Sequence, residues 1–233
     1  MGAVTADPSA LQPVVQQSTP SMIASRVRDA IAAGEFPPGA QLHEADLARA
    51  LGVSRGPLRE GLQRLTQEGL LTSIRNRGLF VVELTPDNVR DMYLAREATE
   101  RCAAATTIAR HHHEGAAVEL HAVVDDMEAA AEEGDSRSVA EADIRFHETL
   151  VAHAGSERLS RIHLTQAAEA RLCIHALGST YENDRARVRE HRSIADAVAT
   201  ADADRADALL VQHMADAVTE LVALSEQELA EEH

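Results

Sequence analysis

Asp143 and His147 stand four residues apart in a stretch where Val139, Asp143, Phe146, His147, Leu150 and Ala154 form one stripe at helical spacing. A carboxylate and an imidazole are thus placed on an apolar face. His191 falls in line with Val188, Ile194 and Val198, and His213 with Leu210, Ala217, Leu221 and Leu224. Three helices each aim a metal-competent side chain inward. Buried polar groups need partners, a carboxylate above all. One divalent cation satisfies the Asp and the three His together, and this donor set suits Zn, Ni, Mn or Fe. With 12 His in the chain, an Asp-x-x-x-His pair also arises readily, and spacing alone favours a core histidine bonded to a neighbour. The run His111-His112-His113 before Gly115 reads instead as a solvated helix end, where the dipole favours imidazolium.

A second constellation lies toward the N-terminus. In Ser54-Arg55-Gly56-Pro57-Leu58-Arg59-Glu60, Arg55 and Arg59 are one helical turn apart and face away from Leu58, Leu62 and Leu65. A guanidinium can donate twice to guanine O6 and N7, or clamp a phosphate. Arg75 and Arg77 sit at a turn, where Gly78 lets backbone approach DNA closely. Arg26 and Arg28, on a preceding helix, suit phosphate contacts. Two Arg on one helix also occur on any solvated face, so the order of the surrounding elements decides between the readings.

That order is informative. Residues 1–20 are rich in Pro, Gln, Ser and Thr and predict a disordered tail. A helix over 21–34 buries Ile23, Val27 and Ile31, and a second over 44–51 carries Leu47 and Leu51. Gly52 suits the position after that helix, where positive φ is needed, and Ser54 suits the N-cap of a third helix over 55–68. Two short strands follow within 70–84, around Arg75-Asn76-Arg77-Gly78. Helix-turn-helix followed by a hairpin is a winged helix. Thr85-Pro86-Asp87 then starts a new helix, with a cap, Pro in the first turn and an acid beside it. Six helices are predicted near 86–111, 115–133, 136–154, 157–177, 184–200 and 203–230, punctuated by Gly115, Gly134, Gly155 and Gly178. The chain is therefore mainly α: a tail over 1–20, a winged helix-turn-helix over 21–84, and an all-helical bundle over 85–230.

Charge follows the same division. The net charge of -16 looks wrong for a DNA-binding protein. Yet residues 1–84 hold 8 Arg against 8 Asp and Glu, and residues 85–233 hold 14 against 30. The acidity belongs to the bundle. Cys102 and Cys173 lie far apart with no CxxC, so neither a disulfide scaffold nor a thiolate site is expected, which fits a reducing cytoplasm. No secretory signal and no run of about 18 apolar residues is seen, so no membrane span is expected.

The stretch Leu42 to Leu71 resembles the winged helix of GntR regulators. It contains Leu47-Ala48, Leu51-Gly52-Val53-Ser54-Arg55, Pro57-Leu58-Arg59-Glu60 and Leu65-Thr66-Gln67-Glu68-Gly69-Leu70. The resemblance implies that Arg55, Arg59 and Gly78 contact DNA. Gly56 replaces the usual Thr or Ser, and Ala45 stands where some members carry Arg. Residues 86–230 resemble the FCD ligand-binding domain of the FadR subfamily. The resemblance rests on Arg96, Glu100, Asp143-x-x-Phe146-His147-x-x-Leu150, Glu190-His191 and His213, with Ser156 in place of the usual Asn. Its six helices are similar to the VanR-like branch. This resemblance implies a divalent metal on Asp143, His147, His191 and His213, which the effector carboxylate joins. It also makes Arg96 a candidate for that carboxylate, although an intrahelical pair with Glu100 is equally available. Arg171, His175 and His163 are further candidates to line the cavity.

The expected protein is a cytoplasmic homodimer that reads a pseudo-palindromic operator in double-stranded DNA and responds to a small organic acid. It is not expected to be an enzyme. Two rivals remain at this stage. One is a metalloenzyme using an open coordination position to activate water, although spacing nominates neither an HExxH motif nor a Glu beside the metal to act as general base. The other is a regulator whose metal is purely structural.

Overall fold

A computed structural model describes residues 18–177 and 184–231 of the 233. Most of the predicted tail, and Gly178, lie outside the described residues. Residues 18–20 already belong to the first helix, α1 (Thr19–Ala32), because Ser18 caps it by accepting from the Ser21 amide and Pro20 suits its first turn. The head continues through β1 (Gln41–Leu42), α2 (Glu44–Leu51), α3 (Arg55–Gln67), β2 (Leu71–Ile74) and β3 (Gly78–Val81). The sheet is antiparallel in the order β1-β3-β2, with Leu71 opposite Val81 and Gln41 opposite Phe80. The sequence reading lacks β1, which is too short for any alternation to register. Gly52 ends α2 with φ +65°. Ser54 occupies the N-cap of α3 with extended backbone, but its hydroxyl makes no capping bond and remains on the exposed surface.

The head core joins Ile23, Val27 and Ile31 of α1 to Leu58, Leu62 and Leu65 of α3. The two helices cross closely at Gly61. A Cβ there would meet Ile23 Cγ2 at 2.8 Å and the Pro20 carbonyl at 2.9 Å. Backbone cannot yield as a flexible side chain does, so Gly61→Ala is expected to destabilise the head by roughly 1–3 kcal/mol in chemical denaturation. A variant as stable as the wild type would remove this account of the crossing.

The bundle comprises α4 (Pro86–Ala109), α5 (His113–Glu133), α6 (Ser136–His153), α7 (Glu157–Leu177), α8 (Asp184–Ala199) and α9 (Ala203–Glu231). Its main core holds Leu120, Val124, Met127, Phe146, Leu150, Ile194 and Leu210. The histidine run differs from the sequence reading. His111 takes φ +60°, turning the chain, so His113 starts α5 and Gly115 lies inside its first turn. The span Ala203–Glu226 of α9 has a mean hydropathy of 1.2, enough by length and composition to cross a membrane. Here it packs along α4 and α8, so its apolar side chains serve the bundle core.

Head and bundle meet at α7. Ala168 and Leu172 join the same apolar cluster as Leu65, Leu70 and Leu71. Between them Glu169 lies against Gly69, the positive-φ residue just beyond α3. Burial, reinforced by nearby Asp91, pushes the Glu169 carboxyl from its usual 4.5 up to about 7. Its folded pKa exceeds its unfolded one, so its contribution to stability is full below about 4.5 and is lost as pH rises through about 7. Glu169→Gln should abolish that decline and, after discounting for solvent screening, stabilise the protein at pH 8 by about 1–2 kcal/mol. Melting curves across this range check it, and a pH profile that overlays the wild type would contradict it.

Candidate metal centre and nucleic-acid interface

The predicted quartet comes together inside the bundle. α6 supplies Asp143 and His147, α8 supplies His191 and α9 supplies His213. All four are buried, and their ligand atoms lie within 4.8 Å of one another. His147 Nε2 is 3.3 Å from His191 Nε2 and 3.2 Å from His213 Nε2, while Asp143 Oδ1 is 3.3 Å from His191 Nε2. Imidazoles bound to zinc at about 2.0–2.1 Å with tetrahedral angles hold their nitrogens about 3.3–3.4 Å apart. The Phe146 ring stands edge-on to His191, with centroids 4.7 Å apart, and closes the apolar side.

The opposite ring nitrogens decide the chemistry. His191 Nδ1 is 2.8 Å from the Arg187 carbonyl, which can only accept. His147 Nδ1 is 2.6 Å from Glu100 Oε2, and His213 Nδ1 is 3.2 Å from Glu190 Oε2. Burial opposes the charge on Glu100, but His147 and Arg96 hold it well below the usual carboxylate range. The hydrogen bond from His213 likewise lowers Glu190. Both carboxylates therefore accept, and all three Nδ1 atoms donate. In neutral rings each Nε2 then carries a lone pair, and the three lone pairs point at one another. Burial pushes the pKa of His147 down to about 4 and also lowers that of His213, favouring the neutral rings. Asp143 stays ionised: burial opposes it, but the Arg187 guanidinium 3.5 Å away holds it well below the usual range. Three facing lone pairs beside a carboxylate fit a divalent cation and satisfy one another poorly without one.

Glu100 is the hub behind this cluster. Besides His147 it receives His163 Nε2 at 3.1 Å and Arg96 Nε at 3.2 Å, so the predicted Arg96–Glu100 pair forms and is buried. Arg96 also stacks over Tyr93, 4.9 Å from the ring centroid. Arg171 lies elsewhere, paired with Glu141 at 3.3 Å and Glu148 at 3.8 Å along α6. The side chain of His175 lies outside the described residues. Spacing did not nominate Glu100 and Glu190 as acceptors behind the histidines, because their roles arise from contacts between helices. Arg187 was missed entirely, although it precedes His191 by four residues on the same helical face.

In the head, Arg55, Arg59, Arg75, Arg77 and Gly78 all lie on the exposed surface, as does Gly56. Arg77 stacks on Phe80 at 5.5 Å, and its carbonyl accepts from Gln41 Nε2 at 2.7 Å, which ties the wing tip to β1. Arg26 is exposed on α1. Arg28 instead pairs with Glu68 at 2.6 Å and fastens α1 to the end of α3.

Comparison with known proteins identifies both parts of the chain. The pattern of bacterial regulatory proteins, gntR family, matches residues 19–81, and the FCD domain matches residues 91–216. A "Probable D-xylose utilization operon transcriptional repressor" of Paenarthrobacter nicotinovorans is 31% identical over 201 residues, covering 84% of this chain and 88% of the relative. An HTH-type transcriptional regulator in the TAR-I ttuE-ttuC' intergenic region of Agrobacterium vitis is 39% identical over 131 residues, 55% of this chain and 76% of the relative. The crystal structure of a GntR transcriptional regulator from Rhodococcus sp. RHA1 superposes with a TM-score of 0.72 at 27% identity, covering 89% of this chain and 99% of the other. McbR/YncC of E. coli, at 19% identity and a TM-score of 0.75, covers 91% of this chain and 100% of its own, and shares the fold. The first three of these are named as transcriptional regulators or repressors. With both of its domains matched in order, the chain belongs to the GntR family of bacterial transcriptional regulators and carries an FCD domain behind its DNA-binding head.

Proposed function

We propose that this regulator is a cytoplasmic, dimeric repressor whose affinity for operator DNA is set by a small carboxylate held at a divalent ion in the bundle. The observation that carries this reading is the convergence of three imidazole Nε2 atoms and one carboxylate at one buried point. Asp143, His147, His191 and His213 would hold the ion, with Zn first among candidates and Ni, Mn or Fe behind it. When bound, the ion supplies a Lewis-acid position for an anionic oxygen. Glu100 and Glu190 are committed to holding imidazoles, which disfavours a hydrolytic role as general base. Arg96 is the candidate for a second effector oxygen, exchanging part of its pairing with Glu100.

Three further features support the reading. A groove of about 220 Å3 between α8 and α9 reaches His213 and Glu190 from solvent. Helix α7 touches both ends of the system, since His163 bonds Glu100 while Ala168 and Leu172 sit in the head core. An effector that favours one placement of α7 would thereby bias the head. On α4 and α7, Leu94, Ile162 and Leu164 are 66, 51 and 59% exposed, apolar side chains that a second copy could cover. Arg26, Ser54, Arg55, Gly56, Arg59, Arg75, Arg77 and Gly78 would form the DNA surface of each head.

Cobalt-loaded protein tests the sensor. Its visible spectrum should shift on titration with one class among hydroxy acids, dicarboxylates, sugar acids or amino acids, and the same acid should change operator affinity. A spectrum and an affinity unmoved by every acid would leave the ion a structural role only.

A further inference from the structure

The recognition helix does not present Arg59 alone. Glu44 stands in the first turn of α2, and its Oε2 lies 2.7 Å from Arg59 Nε across the angle between α2 and α3. Both side chains stay open to solvent, Arg59 at 64% and Glu44 at 39%. They line a groove of about 570 Å3 that runs to Gln63, Ser73 and Gly78, joining the recognition helix to the wing. Among the described residues Glu44 Oε1 makes no hydrogen bond.

An exposed pair of this kind contributes little to folding stability. The carboxylate also has a cost in a DNA-binding surface, because it repels every phosphate it approaches. What it provides is geometric. By taking Nε, Glu44 restrains the guanidinium and leaves its two terminal nitrogens without a hydrogen bond among the described residues. Its own Oε1 remains as an acceptor beside those donors. In the major groove, a G·C pair offers guanine O6 and N7 as acceptors next to the cytosine amino group as donor.

We propose that Glu44 is a specificity-determining residue: with Arg59 it forms a donor–acceptor pair that reads one G·C base pair in each half-site. Arg59 donates to guanine O6 and N7, and Glu44 Oε1 accepts from the cytosine amino group. A thymine in place of the cytosine would turn its O4 acceptor toward the carboxylate, so the wrong pair is rejected by repulsion as well as by a lost bond. This inference rests on the DNA-reading role of α3.

The test is selection from a random duplex pool with the wild-type protein, Glu44→Ala, Glu44→Gln and Arg59→Ala, followed by affinity measurements on selected and unrelated duplexes. The wild type is expected to fix one G·C pair per half-site. Glu44→Ala should keep the rest of the motif but lose about tenfold of the preference at that pair. It should also bind unrelated DNA about twofold or more tightly at low salt, with a steeper salt dependence. Glu44→Gln keeps an acceptor without the charge, so it should retain the preference yet share the gain on unrelated DNA. That gain is read even where the alanine variant folds poorly, and its absence in the glutamine variant overturns the proposal. Selection of an unaltered motif by Glu44→Ala, while Arg59→Ala loses it, overturns this inference and leaves the DNA-reading role intact. A wild type that enriches no sequence overturns both.

Discussion

Asp143→Ala and His191→Ala proteins are expected to bind no stoichiometric metal and to melt roughly 8–16 °C below the metal-loaded wild type. The size follows from mass action. An ion present at a thousand times its dissociation constant stabilises the folded chain by about 4 kcal/mol, and each kcal/mol moves the midpoint of a chain this long by roughly 2–4 °C. The sign follows from the geometry. Without a cation, the Nε2 atoms of His147 and His213 face one another at 3.2 Å with no proton between them, while all three Nδ1 atoms donate outward. Removing one donor loses the ion and leaves the others unsatisfied. Core damage alone is separated by Leu150→Ala, a fully buried position in the main core. That variant should melt lower yet keep the gap between loaded and chelated protein, whereas the Asp143 and His191 variants should lose the gap. A wild type that melts at one temperature with and without chelator contradicts the prediction.

Arg55→Ala and Arg59→Ala should each weaken the operator complex about tenfold to a hundredfold, the range expected for a lost bidentate base contact. Both side chains stand exposed at the start of α3, and a head with 8 Arg against 7 Asp and Glu over residues 21–84 depends on where its Arg are placed more than on their number. Arg75→Ala and Arg77→Ala at the wing tip should act differently. They should lower affinity for all duplexes alike and reduce the salt slope by about one each, as phosphate contacts do. Fluorescence anisotropy at several salt concentrations separates the two classes. Equal operator affinity in the wild type and both α3 variants would remove the recognition helix from the account.

Much of this was legible in the sequence because the governing signals are local. Gly52 and the capping position of Ser54 bracket the tight turn between α2 and α3, and Thr85-Pro86-Asp87 starts α4. The metal quartet was legible because the four side chains sit on apolar stripes, where a polar group must have a reason to be buried. The missed features depend on contacts distant in sequence. β1 exists through its pairing with β3, and no two-residue strand has a period to detect. Arg28 reads as one more exposed cation until Glu68 is brought beside it. Arg171 shares a helix with His163, but helical rotation sends it to Glu141 instead of Glu100. The helix start at His113 was displaced because His111 adopts a positive φ that glycine usually provides, so Gly115 looked like the break.

The central claim is that His147, His191 and His213 all carry their proton on Nδ1 and turn bare Nε2 atoms toward Asp143 and one another. Nitrogen-15 NMR of the imidazoles, recorded on chelated protein and again after adding one equivalent of zinc, reads this directly. The account predicts three Nδ1–H tautomers whose Nε2 resonances alone move sharply on zinc addition. A protonated Nε2 on any of the three in neutral form, or spectra that zinc leaves unchanged, would contradict it.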